Sequence, residues 1–356
     1  MREGWEYKTI EICTSIEYGT RVVQKRDGGT IYPVYGGGGE TFRMDRYNRE
    51  DCLIIARFAM SPRCVRYVAG KFFLNDSGLS VKSKEELEQA YLNYHLLFFN
   101  DVIYHLGKGA AQRNLDVKAF RQLVIAIPPK STQLSIVSEL DKLNELIQIK
   151  KEQLKDYDTL AQSIFYEMFG DPVVNDKKWE VKQLKDVSTL LNGRAYKQHE
   201  LLDKGKYKVL RVGNFFTNST FYYSDLELDD DKYCEYGDLL FAWSASFGAF
   251  IWNGDKVIYH YHIWKVLFDK ECLNIQYYRY LLNTMTSFFM NDVHGIGMVH
   301  LTKSGMEQYD LPIPPLSLQH SFAHKIEQIE RQKAAVQRTI KDLETLLAVR
   351  MQYWFE

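Results

Sequence analysis

The chain says one thing twice. Ile127-Pro128-Pro129-Lys130-Ser131-Thr132-Gln133-Leu134 returns 186 positions later as Ile313-Pro314-Pro315-Leu316-Ser317-Leu318-Gln319-His320. The same offset carries Gly109 to Gly295, Leu115 to Leu301, Tyr91 to Tyr277 and Ala56 to Ala242. Near the start of each copy, Trp5-Glu6-Tyr7-Lys8 matches Trp179-Glu180-Val181-Lys182 at an offset of 174. The copies are therefore tandem, and the second carries a net insertion of 12 residues between Trp179 and Ala242. Solenoid units repeat every 20–50 residues or so, far less than this. The repeat is a duplicated domain, and 356 residues suffice for two cores.

Each copy has two parts. The first is rich in short apolar runs and glycine. Leu53-Ile54-Ile55-Ala56, Leu239-Leu240-Phe241-Ala242 and Lys208-Val209-Leu210-Arg211-Val212 read as strands. A helix is predicted over 84–99, and its counterpart over 275–289. The part closes on Leu123-Val124-Ile125-Ala126-Ile127 and on Tyr309-Asp310-Leu311-Pro312-Ile313, each followed by a double proline that ends the strand.

The second part is one long helix without Gly or Pro. Ser131 or Thr132 is a plausible N-cap for a helix to about Met168, and Ser317 for one to about Trp354. Both hold a heptad. In the first, a positions are Leu140, Ile147, Leu154 and Ala161, and d positions are Ile136, Leu143, Lys150, Tyr157 and Ile164. In the second, a positions are Ile326, Lys333, Ile340 and Leu347, and d positions are Phe322, Ile329, Val336, Leu343 and Arg350. A sustained seam on charged helices favours a coiled coil over a helix lying on its own domain. Halves related by a pseudo-two-fold axis would run these helices antiparallel. The expected fold class is α+β, with two β-rich α/β domains separated by two long antiparallel helices that form a coiled coil. The expected boundaries are 1–130, 131–170, 171–316 and 317–356.

Five scattered cysteines with no CxxC pair argue against a disulfide framework and for a reducing compartment. No apolar run approaches the ~18 residues of a membrane span, so a cytoplasmic protein is the expectation. Net charge is −1, but base is concentrated locally. Seven basic residues face three acids from Arg43 to Lys71, and six face two from Arg194 to Arg211. The acids of the second copy gather later, from Asp225 to Glu235. Taken whole, the neutral charge counts mildly against nucleic-acid binding, but one basic segment per copy fits a binder with defined faces.

Catalytic signatures are absent from the sequence. There is no GxxxxGK[ST] loop, HExxH or GxSxG elbow, and no Asn/Asp-Pro-Pro-Tyr/Phe run of an amino-methyltransferase. Gly36-Gly37-Gly38-Gly39 reads as a turn after Tyr32-Pro33-Val34-Tyr35. His260-Tyr261-His262 puts two imidazoles on one face of a strand, without a third ligand nearby. Tyr277-Tyr278-Arg279-Tyr280 reads as helix packing. Neither a catalytic residue nor a metal is expected.

Four motifs, in order, carry a resemblance. Trp179-Glu180-Val181-Lys182-Gln183-Leu184-Lys185-Asp186-Val187 is similar to the opening of a target recognition domain. Tyr236-Gly237-Asp238-Leu239-Leu240-Phe241-Ala242, followed by Trp243-Ser244, is similar to its mid-domain strand and turn. Leu311-Pro312-Ile313-Pro314-Pro315-Leu316-Ser317-Leu318-Gln319 resembles the hinge into a spacer helix. Ser163-Ile164-Phe165-Tyr166-Glu167-Met168-Phe169-Gly170-Asp171-Pro172 resembles the exit from one. Over nearly its whole length the chain resembles the specificity (S) subunits of type I restriction–modification systems. The first copy departs from the pattern: Ala56-Arg57-Phe58-Ala59-Met60-Ser61 lacks the Gly that such domains often have there.

The resemblance implies a non-catalytic DNA-binding subunit with one target recognition domain per copy. Each would read one half of a bipartite, asymmetric site, and the helices would set the gap. It implies two modification subunits bringing S-adenosylmethionine, and restriction subunits bringing ATP and Mg, with no cofactor on this chain. Arginine reads guanine readily and Asn or Gln reads adenine. The candidate DNA contacts are therefore Arg43, Arg46, Arg57, Arg63 and Lys71 in the first copy, and Arg194, Lys197, Arg211, Asn214, Trp243, Ser244 and Ser246 in the second. Two alternatives are the recognition subunit of a type II-like fused enzyme and a coiled-coil adaptor that binds no DNA.

Overall fold

A computed structural model describes residues 2–109, 112–217, 219–244, 246–291 and 301–356. Gly295, the repeat partner of Gly109, lies outside them. The chain divides into two compact units, Met1–Glu152 with Gln337–Glu356, and Gln153–Val336.

The first unit runs β1 (Glu6–Thr9), β2 (Thr14–Tyr18), β3 (Tyr32–Tyr35), β4 (Glu40–Met44), β5 (Arg49–Ala56), β6 (Val65–Leu74), β7 (Gly78–Ser83), helix α1 (Gln89–Phe98) and β8 (Val124–Ile127). Strands β2 to β7 form one sheet in the order β2-β7-β5-β6-β3-β4. Leu53-Ile54-Ile55-Ala56 is buried along its whole length, as a strand covered on both faces requires. Tyr91, Leu92, His95 and Leu96 of α1 pack in the same core. β1 closes the domain by pairing antiparallel with β8, Glu6 opposite Ile127 and Thr9 opposite Val124.

The helix predicted from residue 84 begins only at Gln89, because residues 83–88 are held by other partners. Ser83 N donates to Gln89 Oε1 (2.9 Å), and Lys84 N to Cys13 O (3.0 Å). Glu88 N donates to Gln133 Oε1 (2.8 Å). Helix α2 (Lys130–Phe169) follows the double proline directly. Thr132 N and Gln133 N donate to Pro129 O, so Pro129, not Ser131 or Thr132, stands at the helix entrance. Proline suits that place, since it brings no N–H to satisfy and its φ is already helical. Pro315 repeats this for Ser317, accepting from Leu318 N and Gln319 N.

The second unit runs β9 (Glu180–Gln183), β10 (Ser188–Asn192), β11 (Tyr207–Leu210), β12 (Tyr222–Ser224), β13 (Tyr233–Cys234), β14 (Leu239–Ser244), β15 (Ser246–Ile251), β16 (Val257–Tyr259), β17 (Ile263–Phe268), helix α3 (Ile275–Thr284), β18 (Asp310–Ile313) and helix α4 (Leu316–Phe355). Here the strands form two sheets, β10-β17-β14-β15 and β12-β11-β16-β13. β9 pairs with β18, Glu180 opposite Ile313, as Glu6 pairs with Ile127. The expected single helix over 275–289 is two, α3 and a short helix at Thr286–Asn291. Tyr277 and Tyr278 are fully buried on α3, which settles the aromatic run as packing.

The insertion has a definite place. Val34 and Tyr35 pair in parallel with Phe73 and Leu74, and Val209 and Leu210 with Ile258 and Tyr259. Tyr35 and Leu210 are thus equivalent. From Tyr35 to Ala56 is 21 positions, and from Leu210 to Ala242 is 32. Almost all the extra chain lies there, with β13 and the acidic stretch from Asp225 to Glu235.

One buried amide recurs in both units. Gln133 is fully buried, accepts from Glu88 N, and donates to Glu86 O (3.0 Å) and Pro128 O (2.9 Å). Gln319, also fully buried, accepts from Asn274 N (2.8 Å) and donates to Cys272 O (2.9 Å) and Pro314 O (2.8 Å). Each ties a long helix to the loop before the domain's short helix. Tyr91 Oη donates to Ala126 O (2.9 Å), and Tyr277 Oη to Pro312 O (2.7 Å), in the same way.

Within each unit the two long helices pack antiparallel. In the first, Lys151 pairs with Glu344 (2.8 Å), and the earlier Glu139 with the later Arg350 and Trp354 Nε1. Ile136, Leu140, Leu143, Ile147 and Ile340 are buried there, and Leu343 is half-buried. In the second, Lys333 pairs with Asp158 (2.7 Å), and the Phe322 ring lies 5.7 Å from Phe165. Ala161, Ile326, Ile329 and Val336 are buried, with Leu154 and Tyr157 half-buried. Among the described residues no helix is long and apolar enough to cross a membrane, and all five cysteines are free.

Candidate nucleic-acid interface

A corner of loops at the strand ends is built twice on one hydrogen-bond plan. In the first unit Gly19 N donates to Gly78 O (3.0 Å), Arg57 N to Ser77 O (2.7 Å) and Asn75 N to Tyr35 O (2.9 Å). In the second, Gly193 N donates to Ile263 O (3.3 Å), Trp243 N to His262 O (3.1 Å) and His260 N to Leu210 O (2.9 Å). Arg57 and Trp243 therefore hold the same place, each one step beyond a buried alanine that ends a core strand run. Gly36–Gly39 and 211–214 likewise hold equivalent places, each following its parallel-paired strand, though in the second unit Val212–Phe216 form a short helix with Arg211 at its N-cap.

The glycines of the first corner are partly obligatory. A Cβ on Gly37 would stand 2.0 Å from Phe58 O, and one on Gly36 2.9 Å from the Asn75 side chain. Gly39 has φ +131°, a conformation side chains rarely adopt. Gly38 faces open space. The loop is a bare backbone pressed against the strand end. Beside it Arg66 donates to Gly37 O (2.7 Å) and Arg63 O (3.3 Å). Arg57 lies over two rings, its Cζ 4.9 Å from the Tyr18 centroid and 4.5 Å from Phe58. Among the described residues its guanidinium makes one hydrogen bond, a long one, 3.5 Å to Asp76 O.

The second corner encloses a cavity of about 270 Å³ lined by Arg211, Asn214, Tyr222, His260 and His262. Arg211 lies over Tyr222, 5.2 Å from its centroid. The Trp243 indole stacks on Trp264 (5.4 Å, 17°) and donates to Tyr261 O (2.9 Å). His260 makes an isolated parallel bridge to Arg194 and Tyr261–His262 turn away, so the expected strand face is not formed, and the two imidazoles sit 4.8 Å apart. Burial, then the neighbouring His262 and Arg211, push His260 down to about 4, so it is neutral at physiological pH. Among the described residues no group of three His, Cys, Asp or Glu side chains could hold a metal.

The other candidates separate by what already holds them. Arg194 forms a two-pronged ion pair with Glu200 (3.0 and 2.7 Å), which holds that carboxyl down to about 2. Lys197 is exposed, and only its backbone N donates to Glu200. Asn214 accepts from Arg211 N (2.7 Å) and donates to Ser219 O (2.7 Å), so both ends of its amide brace the loop. Ser244 is buried, whereas Ser246 is half-buried on the hairpin β14–β15. Arg43 is held by Glu40 (3.3 Å) and Ile31 O (3.0 Å). Arg46 and Lys71 are exposed and lie over Phe73 and Tyr47, while Arg63 is exposed. The sequence reading counted Arg66 in the first basic segment and weighed His260 only for metal, and it missed Asn75, whose backbone N bonds to Tyr35 O as that of His260 does to Leu210 O.

The molecule is thus a duplicated, β-rich module, each copy followed by a long helix and each with an arginine held over aromatic rings at an equivalent corner. The chain belongs to the family of the type I restriction modification DNA specificity domain, whose model matches residues 3–156 and 176–345. It is a DNA sequence-specificity subunit of that class. It is 22% identical over 323 residues to the specificity subunit of the type I restriction enzyme MjaVIII of Methanocaldococcus jannaschii, covering 78% of this chain and 75% of that one. It is 24% identical over 341 residues to a type I restriction enzyme specificity subunit of Haemophilus influenzae, covering 91% and 87%. The crystal structure of the S subunit from M. genitalium superposes with a TM-score of 0.57 at 14% identity, over 99% of this chain and 96% of that one. A chain from a study of assembly and conformational transition in the type I system gives 0.60 at 15% identity, over 99% and 97%. Both structural likenesses are of fold.

Proposed function

We propose that each unit reads one half of a bipartite, asymmetric DNA site, while α2 and α4 set the gap and dock two modification subunits. The observation that carries this is the corner built twice and furnished differently. One backbone plan holds Arg57 and a glycine loop in one copy, and Trp243, Arg211 and two imidazoles in the other. A homodimer would impose a palindrome; two different modules on one chain do not. Affinity comes mostly from phosphate contacts, and sequence from side chains at base edges.

Arg46, Arg57, Arg63, Lys71, Lys197, Arg211, Trp243 and Ser246 are the contacts this reading favours. Arg43 and Arg194, held by carboxylates, come after them, while Asn214 and Ser244 shape the loops. Each long helix has 40 residues, roughly 60 Å at ~1.5 Å per residue. Apolar side chains stand exposed on both, among them Leu146, Ile149, Leu346 and Val349 in the first unit and Leu160 in the second. Such patches suit a protein partner. The modification subunits bring S-adenosylmethionine, and restriction subunits bring ATP and Mg.

Exchanging residues 1–125 for those of a relative tests the reading. Methylated-site sequencing of the reconstituted complex should show one half-site changed and the other kept. A change in both halves refutes the modular assignment. Adding or removing a heptad in the helices should change the gap and leave both half-sites intact.

A further inference from the structure

We infer that Arg57 and Arg211 are the base-reading residues of the two half-sites, each taking the paired acceptors on a guanine edge from a different loop of the same corner. This rests on the recognition reading above and assigns its chemistry to two side chains.

Most arginines near the two corners are engaged. Arg43 pairs with Glu40, Arg49 with Glu17 and Arg194 with Glu200. Arg66 is half-buried and serves two backbone carbonyls. Among the described residues no carboxylate lies within ion-pair distance of Arg57 or Arg211. Each is instead held against aromatic rings, Arg57 between Tyr18 and Phe58 and Arg211 over Tyr222. Stacking fixes the plane of a guanidinium and leaves its edge donors free. A phosphate can be met from many directions by a flexible cation. A guanine edge needs a planar fork in one orientation, with two donors aimed at O6 and N7. The restraint on Arg57 therefore suits base reading better than backbone contact.

Room for a base edge exists in both corners. Against Phe58, the residue after Arg57, stands the glycine loop, where Gly38 leaves open space. Beside Arg211 lies the 270 Å³ cavity, with neutral His260 on its wall. The two arginines are not equivalent by position. Arg57 matches Trp243, and Arg211 falls in the loop that matches the glycines. Each copy thus brings to the corner a ring-held guanidinium that no described carboxylate pairs with. The two guanines should stand at different places within their half-sites.

The test replaces each arginine by Ala and by Lys in the full chain, assembled with its modification subunits, and sequences the sites methylated in a randomised duplex library. Arg57→Ala should relax one base pair in one half-site, with discrimination falling roughly 10- to 100-fold there. Arg211→Ala should do so in the other. The untouched half-site reports that the variant is folded and assembled. Arg→Lys should not restore the base preference, because an ammonium cannot form the fork. A uniform weakening with the motif unchanged, restored by Lys and with a shallower salt slope, marks a phosphate contact and overturns the assignment. Relaxation of both half-sites by one variant also overturns it. If the wild-type complex itself shows no bipartite preference, the recognition reading fails first, and the two failures are distinguishable.

Discussion

His95 shows what single residues hide from sequence. It is 1% exposed, packed against Tyr91, Phe99 and Phe355. Its Nε2 accepts from Ala126 N (3.3 Å), and its Nδ1 has no partner. Burial drives its pKa from 6.5 to about 4. Above pH 6.5 both folded and unfolded chains hold it neutral, and its pH-linked cost is nil. Between 6.5 and 4 the unfolded chain takes up a proton that the fold refuses, so stability falls with falling pH, by up to about 3 kcal/mol. Urea unfolding at pH 7 and pH 5 should show this loss, and His95→Phe should flatten the slope. Nothing local marked His95, since helical spacing alone does not say which polar residue faces the core. The same gap separates the DNA-contact candidates. Sequence offered the arginines as candidates, but which of them a carboxylate already held depended on partners such as Glu40 and Glu200. That Ser244 is buried and that the Asn214 amide is engaged at both ends were equally invisible.

The helices were far more legible. The heptad assigned Leu140, Ile147, Ile326, Ile329, Val336 and Ile340 to the seam, and all are buried, because a 3.5-residue period is a property of the chain itself. The polar break Lys333 was legible as a break. Its partner, Asp158 on the other helix, was not. Their starts were misplaced by a residue or two, since a proline carbonyl took the role expected of a serine hydroxyl. The buried glutamines escaped notice, although both lay inside the repeat motif. Each bonds to three backbone groups. Gln133→Ala and Gln319→Ala should each cost about 3 kcal/mol through those stranded groups. The two losses should be nearly equal, because the partners are repeated. Thermal or urea midpoints of the two variants provide the comparison.

At the scale of the molecule, duplication and its inserted stretch were readable as arithmetic. The split of the first sheet's plan into two sheets in the second copy was not, because pairing across β11, β16 and β13 depends on where the extra chain folds back. Nor did sequence show that the last residues complete the first unit. Phe355 is 5% exposed in that unit's core, 5.4 Å from the Tyr91 ring. Arg2 donates to the carbonyls of Tyr353 and Trp354 and lies over both rings. Phe355→Ala should cost about 3–5 kcal/mol. Hydrogen exchange should place that loss in the amides of residues 1–152 and leave 153–336 unchanged. The discontinuous first unit also imposes an order on biosynthesis. Its main segment ends at Glu152, yet its closing helix runs to Phe355. At ~5–20 residues per second, a ribosome needs roughly 10–40 s to cover that interval. The first unit made is the last that can finish folding, because it waits on residues 337–355.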